Sequence, residues 1–144
     1  MSAKGKIQFF ILKNSIVPRN RTKLKHFIQS IFKSEDIALS FLNIIFCSDS
    51  YLLGINKKFL GHNYKTDVVS FDLAVPGKAV EGEVYISVDR VKSNAKRLKI
   101  NATQEIHRVI FHGVLHLCGY NDQGPRQKAQ MRRAEDSYLK KYLG

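Results

Sequence analysis

Acidic side chains are scarce here: twelve Asp and Glu stand against twenty-four Lys and Arg, a formal charge of +12 over 144 residues. A surface of that sign attracts polyanions, and nucleic acid is the commonest polyanion in cytoplasm. Cysteine is nearly absent as well. Cys47 and Cys118 both fall in apolar runs, so they are read as reduced core residues, and a disulfide framework is excluded. No apolar run approaches the roughly 20 residues that span a membrane. The opening MSAKGKIQFFILKNS lacks a long apolar core and a small-residue cleavage site, which makes it a first strand rather than a leader. The expected compartment is the cytoplasm, with no membrane partner. Repeats, low-complexity tracts and Pro/Gly/Ser linkers are missing too, so residues 1–144 are expected to form one domain.

The apolar periodicity changes along the chain. Ile7–Leu12 reads as a strand, and Asn20 caps a helix whose stripe is Leu24, Phe27, Ile28, Ile31 and Phe32. Ile37–Cys47 is an apolar, β-rich run expected to be a buried strand. Ser48 and Asp49 then cap a short helix carrying Leu52, Leu53, Asn56, Phe59 and Leu60. DVVSFDLAV and GEVYISV read as two strands paired like a hairpin. DRVKSNAKRLKI gives a basic helix with Val91, Ala95 and Leu98 facing inward and Arg90, Lys92, Lys96, Arg97 and Lys99 outward. Asn101 and Gln104 open the next helix, Gly119 closes it, and Pro125 starts the last one, with Met131, Ala134, Tyr138 and Tyr142 inside. The fold class is α+β, a small mixed four-stranded sheet packed with about five helices.

The chemistry concentrates in HGVLHLCGYND. His112 and His116 are four apart, so on a helix their imidazoles share one face. Gly119 lets the chain double back and brings Asp122 within reach as a third ligand, with water in a fourth position. Three protein ligands plus water is the arrangement of a catalytic zinc. The glutamate that zinc peptidases of the HExxH type carry beside the first histidine is missing, and Gly113 stands there. Phosphodiester cleavage asks instead for charge neutralisation at phosphorus and a positioned attacking oxygen. That oxygen is either water or the RNA 2′-hydroxyl. Of the other histidines, His107 lies off the ligand face, His26 belongs to a solvated basic pattern, and His62 sits in a loop that could approach the site.

HGVLHLCGYND resembles the signature of the YbeY family of endoribonucleases, or rRNA maturation factors, written His-Gly-x-Leu-His-Leu-x-Gly-Tyr-Asp-His. INKKFLGHNYKTDVVSF (Ile55–Phe71) and EGEVYIS (Glu81–Ser87) match family segments in the same order. The resemblance implies a YbeY-like metal-dependent hydrolase fold, one zinc ion, and a single-strand-preferring endoribonuclease. It implies a role in 16S rRNA 3′-end processing and ribosome quality control, with rRNA or the ribosome as partner and no DNA specificity. His112 and His116 fall on the first two ligand positions, and Asp122 falls on the third, where the family has histidine. A carboxylate can bind zinc at a similar distance, although it could select another divalent ion. Phe59 and Leu60 stand where the family has a Tyr-Arg pair. The phosphate contact of that arginine passes to Lys57, Lys58, His62 and Lys65, joined by Lys92, Lys96 and Arg97 of the basic helix. Two other readings stay open: a zinc metallopeptidase, and a non-catalytic ribosome-binding factor with a structural metal. The sequence leaves the oligomeric state undetermined.

Overall fold

A computed structural model describes residues 5–144, so the first four residues of the opening segment lie outside the described residues. The strands are β1 (Lys6–Ile11), β2 (Leu39–Cys47), β3 (Val68–Asp72) and β4 (Val80–Ser87). The helices are α1 (Arg21–Ser34), α2 (Asp49–Leu60), α3 (Val88–Leu98), α4 (Ala102–Leu117) and α5 (Pro125–Leu143). The expected order and the α+β class hold. Sheet order is β1-β2-β4-β3, with β1, β2 and β4 parallel and β3 antiparallel to β4.

Alternation along the two central strands assigns the layers, because successive side chains leave a strand on opposite faces. Leu42, Ile44 and Phe46 of β2, with Val84 and Ile86 of β4, enter the main core with residues of α1, α3, α4 and α5. Ile45 and Cys47 turn the other way, against Leu52 of α2 and Val69 of β3. A sheet covered on both faces explains why β2 reads as an almost unbroken apolar run.

α4 lies tight on the sheet. A Cβ at Gly113 would come 2.7 Å from Val84 Cγ1 and 3.2 Å from Val68 Cγ2, so only glycine allows this approach. Ser70 Oγ of β3 donates to the Gly113 carbonyl at 3.0 Å and fixes the contact. The face of α4 opposite Gly113 is thereby turned away from the sheet.

Two expectations of burial differ from the structure. Leu98, expected inside, is 47% exposed because α3 ends there, with Lys99 in the left-handed region at φ 57°. Arg90, expected in solvent, reaches across to Asp49 at 2.9 Å and ties the start of α3 to the start of α2. The other inner positions of α5 are buried as expected or, for Ala134, partly buried, and Glu135 joins them. Among the described residues no helix is long and apolar enough to cross a membrane.

Candidate metal centre

Asn101 starts α4 by accepting from Gln104 N–H at 2.7 Å, the kind of cap worth about 1 kcal/mol. The helix ends after His116 in a left-handed turn. Gly119, at φ 100°, donates to the His116 carbonyl at 3.1 Å, and Tyr120 N–H donates to the Leu115 carbonyl at 3.0 Å. This is the paired termination that glycine favours. It has a chemical by-product: the Tyr120 carbonyl is turned back onto His116 Nδ1, 3.1 Å away. Two residues later Asp122 folds over the end of the helix.

The three side chains meet. His112 Nε2 and His116 Nε2 are 3.1 Å apart, and Asp122 Oδ2 is 3.4 Å from each. For a tetrahedral ion with bonds of about 2.0–2.1 Å, ligand atoms would lie about 3.3–3.4 Å from one another. The triangle therefore has the size of one face of a zinc coordination sphere.

Hydrogen bonding reinforces that fit. His112 Nδ1 is 2.6 Å from Glu135 Oε2, and His116 Nδ1 faces the Tyr120 carbonyl. Both partners are acceptors, so Nδ1 carries the proton on each ring and both Nε2 lone pairs point at the same spot. Two lone pairs and a carboxylate oxygen repel unless a metal ion or a proton lies between them. The set accommodates a divalent ion, and all three side chains keep some solvent exposure, between 23% and 39%, which leaves an open side.

Charges nearby are uneven. Burial works against protonation of His112, but the Glu135 contact, with Asp122 and Asp67, outweighs it and holds the pKa above its ordinary value. At His116 burial and the neighbouring His112 keep the pKa low. Burial raises the Asp67 carboxyl, and Asn94 Nδ2 donates to it at 3.3 Å. Both cysteines are free, with thiols pushed up to about 12 by burial, so neither offers a thiolate nucleophile.

Two clefts meet at the triad, and His116 and Asp122 line both. One, of about 470 Å³, runs between α3, α4 and α5 and carries Arg97, Arg108, Lys128 and Arg132. Arg108 is neutralised there by Glu135 at 3.2 Å and Asp136 at 3.1 Å, with Glu105 beyond at 3.7 Å. The other, of about 590 Å³, runs past Leu60, His62 and Tyr64.

The cations named from the sequence scatter. Arg97 lines the first cleft and His62 the second. Lys57 and Lys58 are exposed on the last turn of α2 outside both clefts, with Lys58 over the Phe59 ring. Lys65 lies 3.9 Å from Asp49, and Lys92 and Lys96 occupy the solvent face of α3. His107 is buried against the Thr103 carbonyl, and His26 is exposed. Sequence reasoning missed Lys128, Arg132 and above all Glu135. A signal for Glu135 existed, because a carboxylate four residues after Met131 and three before Tyr138 lies on the apolar stripe of α5.

Comparison with known proteins adds a consistent set of likenesses. The family model described as endoribonuclease YbeY matches residues 11–143. An endoribonuclease YbeY of Cytophaga hutchinsonii is 43% identical over 121 residues, 84% of this chain and 85% of that protein. One of Amoebophilus asiaticus is 39% identical over 136 residues, 94% of this chain and 92% of that protein. The solution structure of TM1509 from Thermotoga maritima matches with a TM-score of 0.64 at 26% identity, covering 95% of this chain and 90% of that one.

Proposed function

The chain belongs to the endoribonuclease YbeY family, and from that premise we propose a zinc-dependent cut in single-stranded ribosomal RNA, with His112, His116 and Asp122 holding the ion. In this reading residues 1–144 act as one domain in the cytoplasm, on the 3′ end of 16S rRNA and in ribosome quality control. The observation that carries it is the triangle of donor atoms 3.1–3.4 Å apart at the junction of two clefts.

A zinc ion there would supply Lewis-acid polarisation of a phosphoryl oxygen and neutralise charge developing on it. The chain's own residues do the rest. Glu135 takes the Nδ1 proton contact of His112 and the Tyr120 carbonyl takes that of His116, so both rings are held in the tautomer that offers Nε2. Asp122 adds the negative charge that a third histidine would not. Arg97, Lys128 and Arg132 line the cleft that leads to the triad and are placed to receive phosphates on one side of the cut.

A peptidase reading is disfavoured by packing as well as by sequence. Gly113 faces Val84 and Val68 of the sheet, so a glutamate there would clash with them. A purely structural metal would be expected in a closed four-ligand site, whereas these ligands open onto two clefts.

Incubation with single-stranded rRNA fragments and with casein, each before and after chelation and zinc return, tests the reading. RNA cleavage that chelator abolishes and zinc restores is expected, with casein untouched. Chelator-resistant RNA cleavage, or casein cleavage in its place, would overturn it.

A further inference from the structure

The two clefts that meet at the triad differ in chemistry. The first carries arginines and a lysine, whereas among the described residues no lysine or arginine lines the second. What lines the second is the His62 and Tyr64 rings with apolar and neutral polar groups, and its only acidic groups among the described residues are Asp122 of the triad and Asp72 at the end of β3. The His62 and Tyr64 rings are stacked at 5.0 Å and 18°, and Tyr64 is 58% exposed. The Tyr64 hydroxyl lies 3.0 Å from His62 Nδ1, which locks the two rings together.

The loop carrying this pair is anchored. Asn56, buried on α2, donates from Nδ2 to the Tyr64 carbonyl at 3.0 Å, and its own carbonyl accepts from His62 N–H at 3.2 Å. Asn56 therefore holds both ends of the aromatic pair, Tyr64 through its side-chain amide and His62 through its main-chain carbonyl. Leu60, at the position where the family has arginine, lines the same cleft and contributes apolar surface in place of charge. Gln123 and Thr66 add neutral polar groups beside it.

We propose that the second cleft is a nucleobase subsite, in which an unpaired base of the RNA extends the His62–Tyr64 stack. Phosphates of the same strand lie across the triad, on the side of Arg97, Lys128 and Arg132. Backbone charge is thus handled by one cleft and a base by the other, and the scissile phosphate falls where they join. Aromatic rings recognise splayed bases through their π-faces with little dependence on sequence. Only an unpaired base can enter such a stack, which makes the subsite a source of single-strand preference. This inference rests on the nuclease reading above.

The test uses the zinc-supplemented protein and a short fluorescent 2′-O-methyl oligoadenylate, with fluorescence anisotropy as readout. A matching strand stripped of its bases serves as control. Tyr64→Ala should weaken binding of the base-bearing strand by about 5- to 150-fold, the range expected for one stacked base. Tyr64→Phe, which keeps the ring and loses only the hydroxyl contact to His62, should weaken binding far less than Tyr64→Ala, and the salt slope should stay the same in both, because no phosphate contact is lost. On the abasic strand, Tyr64→Ala and wild type should be equal. Wild type should itself bind the abasic strand more weakly, a comparison that needs no variant. Equal affinity of Tyr64→Ala and wild type for the base-bearing strand overturns the subsite, as does an equal loss on both strands. If wild type neither binds nor cuts RNA, the nuclease reading fails and takes the subsite with it. Normal cutting with an indifferent Tyr64→Ala removes the subsite alone.

Discussion

His112 and His116 are fixed by unlike partners, a buried carboxylate on one side and a backbone carbonyl on the other. The carboxylate is the more consequential, because it orients the ring and raises its basicity as a ligand. Glu135→Gln should therefore weaken zinc binding by about 10- to 100-fold, measured by competition between the metal-free protein and a chelating dye. Unchanged affinity would mean that Glu135 serves only the ion pair with Arg108. Gly113 makes the opposite demand, for empty space. Gly113→Ala would set a methyl group 2.7 Å from Val84 Cγ1 and should cost about 1–3 kcal/mol, read from the urea midpoint. A neutral result would show that α4 can lift off the sheet. At this scale the ligands were legible in the sequence, because helical spacing and a glycine stop are local signals. Glu135 offered only its place on the apolar stripe of α5, and its role was hidden because its partner His112 is 23 residues away in sequence. Lys128 and Arg132 were missed because the last helix was read only for its apolar stripe. The lysines of α2 and α3 were overvalued, since a basic run usually marks a solvated helix face.

Elements, more than residues, explain why the site forms where it does. α4 packs one face on the sheet through Gly113 and turns its histidine face toward α5, and the glycine-terminated end folds Asp122 over it. The order of strands and helices followed from periodicity, and the β3–β4 pairing followed from a short loop. The parallel pairing of β2 with β1 on one side and β4 on the other did not, because register between distant strands is set by packing on both faces of the sheet. Leu98 failed as an inward residue because the helix ends there, and apolar spacing does not report a helix end. One buried group within α4 makes a pH prediction. Burial, helped by Lys23, pulls the pKa of His107 below its ordinary value. The unfolded chain then binds more protons than the folded one, so His107 lowers stability as pH falls through about 6.5 toward its folded pKa. His107→Phe should remove that contribution, so the gap in urea midpoint between pH 7.5 and pH 5 should narrow relative to wild type. An unchanged gap would mean that His107 protonates in place. The raised carboxyls of Asp67 and Glu105 act with the opposite sign, and both remain in wild type and variant alike.

The charge of +12 acts at the level of the whole molecule, but only part of it reaches the triad. Arg108 is consumed by carboxylates, which leaves Arg97 and Lys128 in the first cleft together with Arg132, an exposed side chain 3.9 Å from the Asp136 that Arg108 also holds. RNA affinity should fall steeply with salt, and Lys128→Ala or Arg132→Ala should each lessen the logarithmic slope by about 0.7, as for one lost phosphate contact on a single strand. Lys57→Ala should leave the slope near wild type, since that side chain lies outside both clefts. A slope equally sensitive to Lys57 would mean that the strand takes another path. Composition alone suggested a polyanion, yet it could not say where the polyanion lies, because that depends on which cations the fold leaves unpaired. The central claim is narrower than any of this: three side chains share one divalent ion. Metal analysis after dialysis against zinc measures it most directly, on wild type beside His116→Ala and Asp122→Ala, with circular dichroism to establish folding. One equivalent of zinc in wild type and little in either folded variant is the predicted result; no zinc in wild type, or a full equivalent in both folded variants, would contradict it.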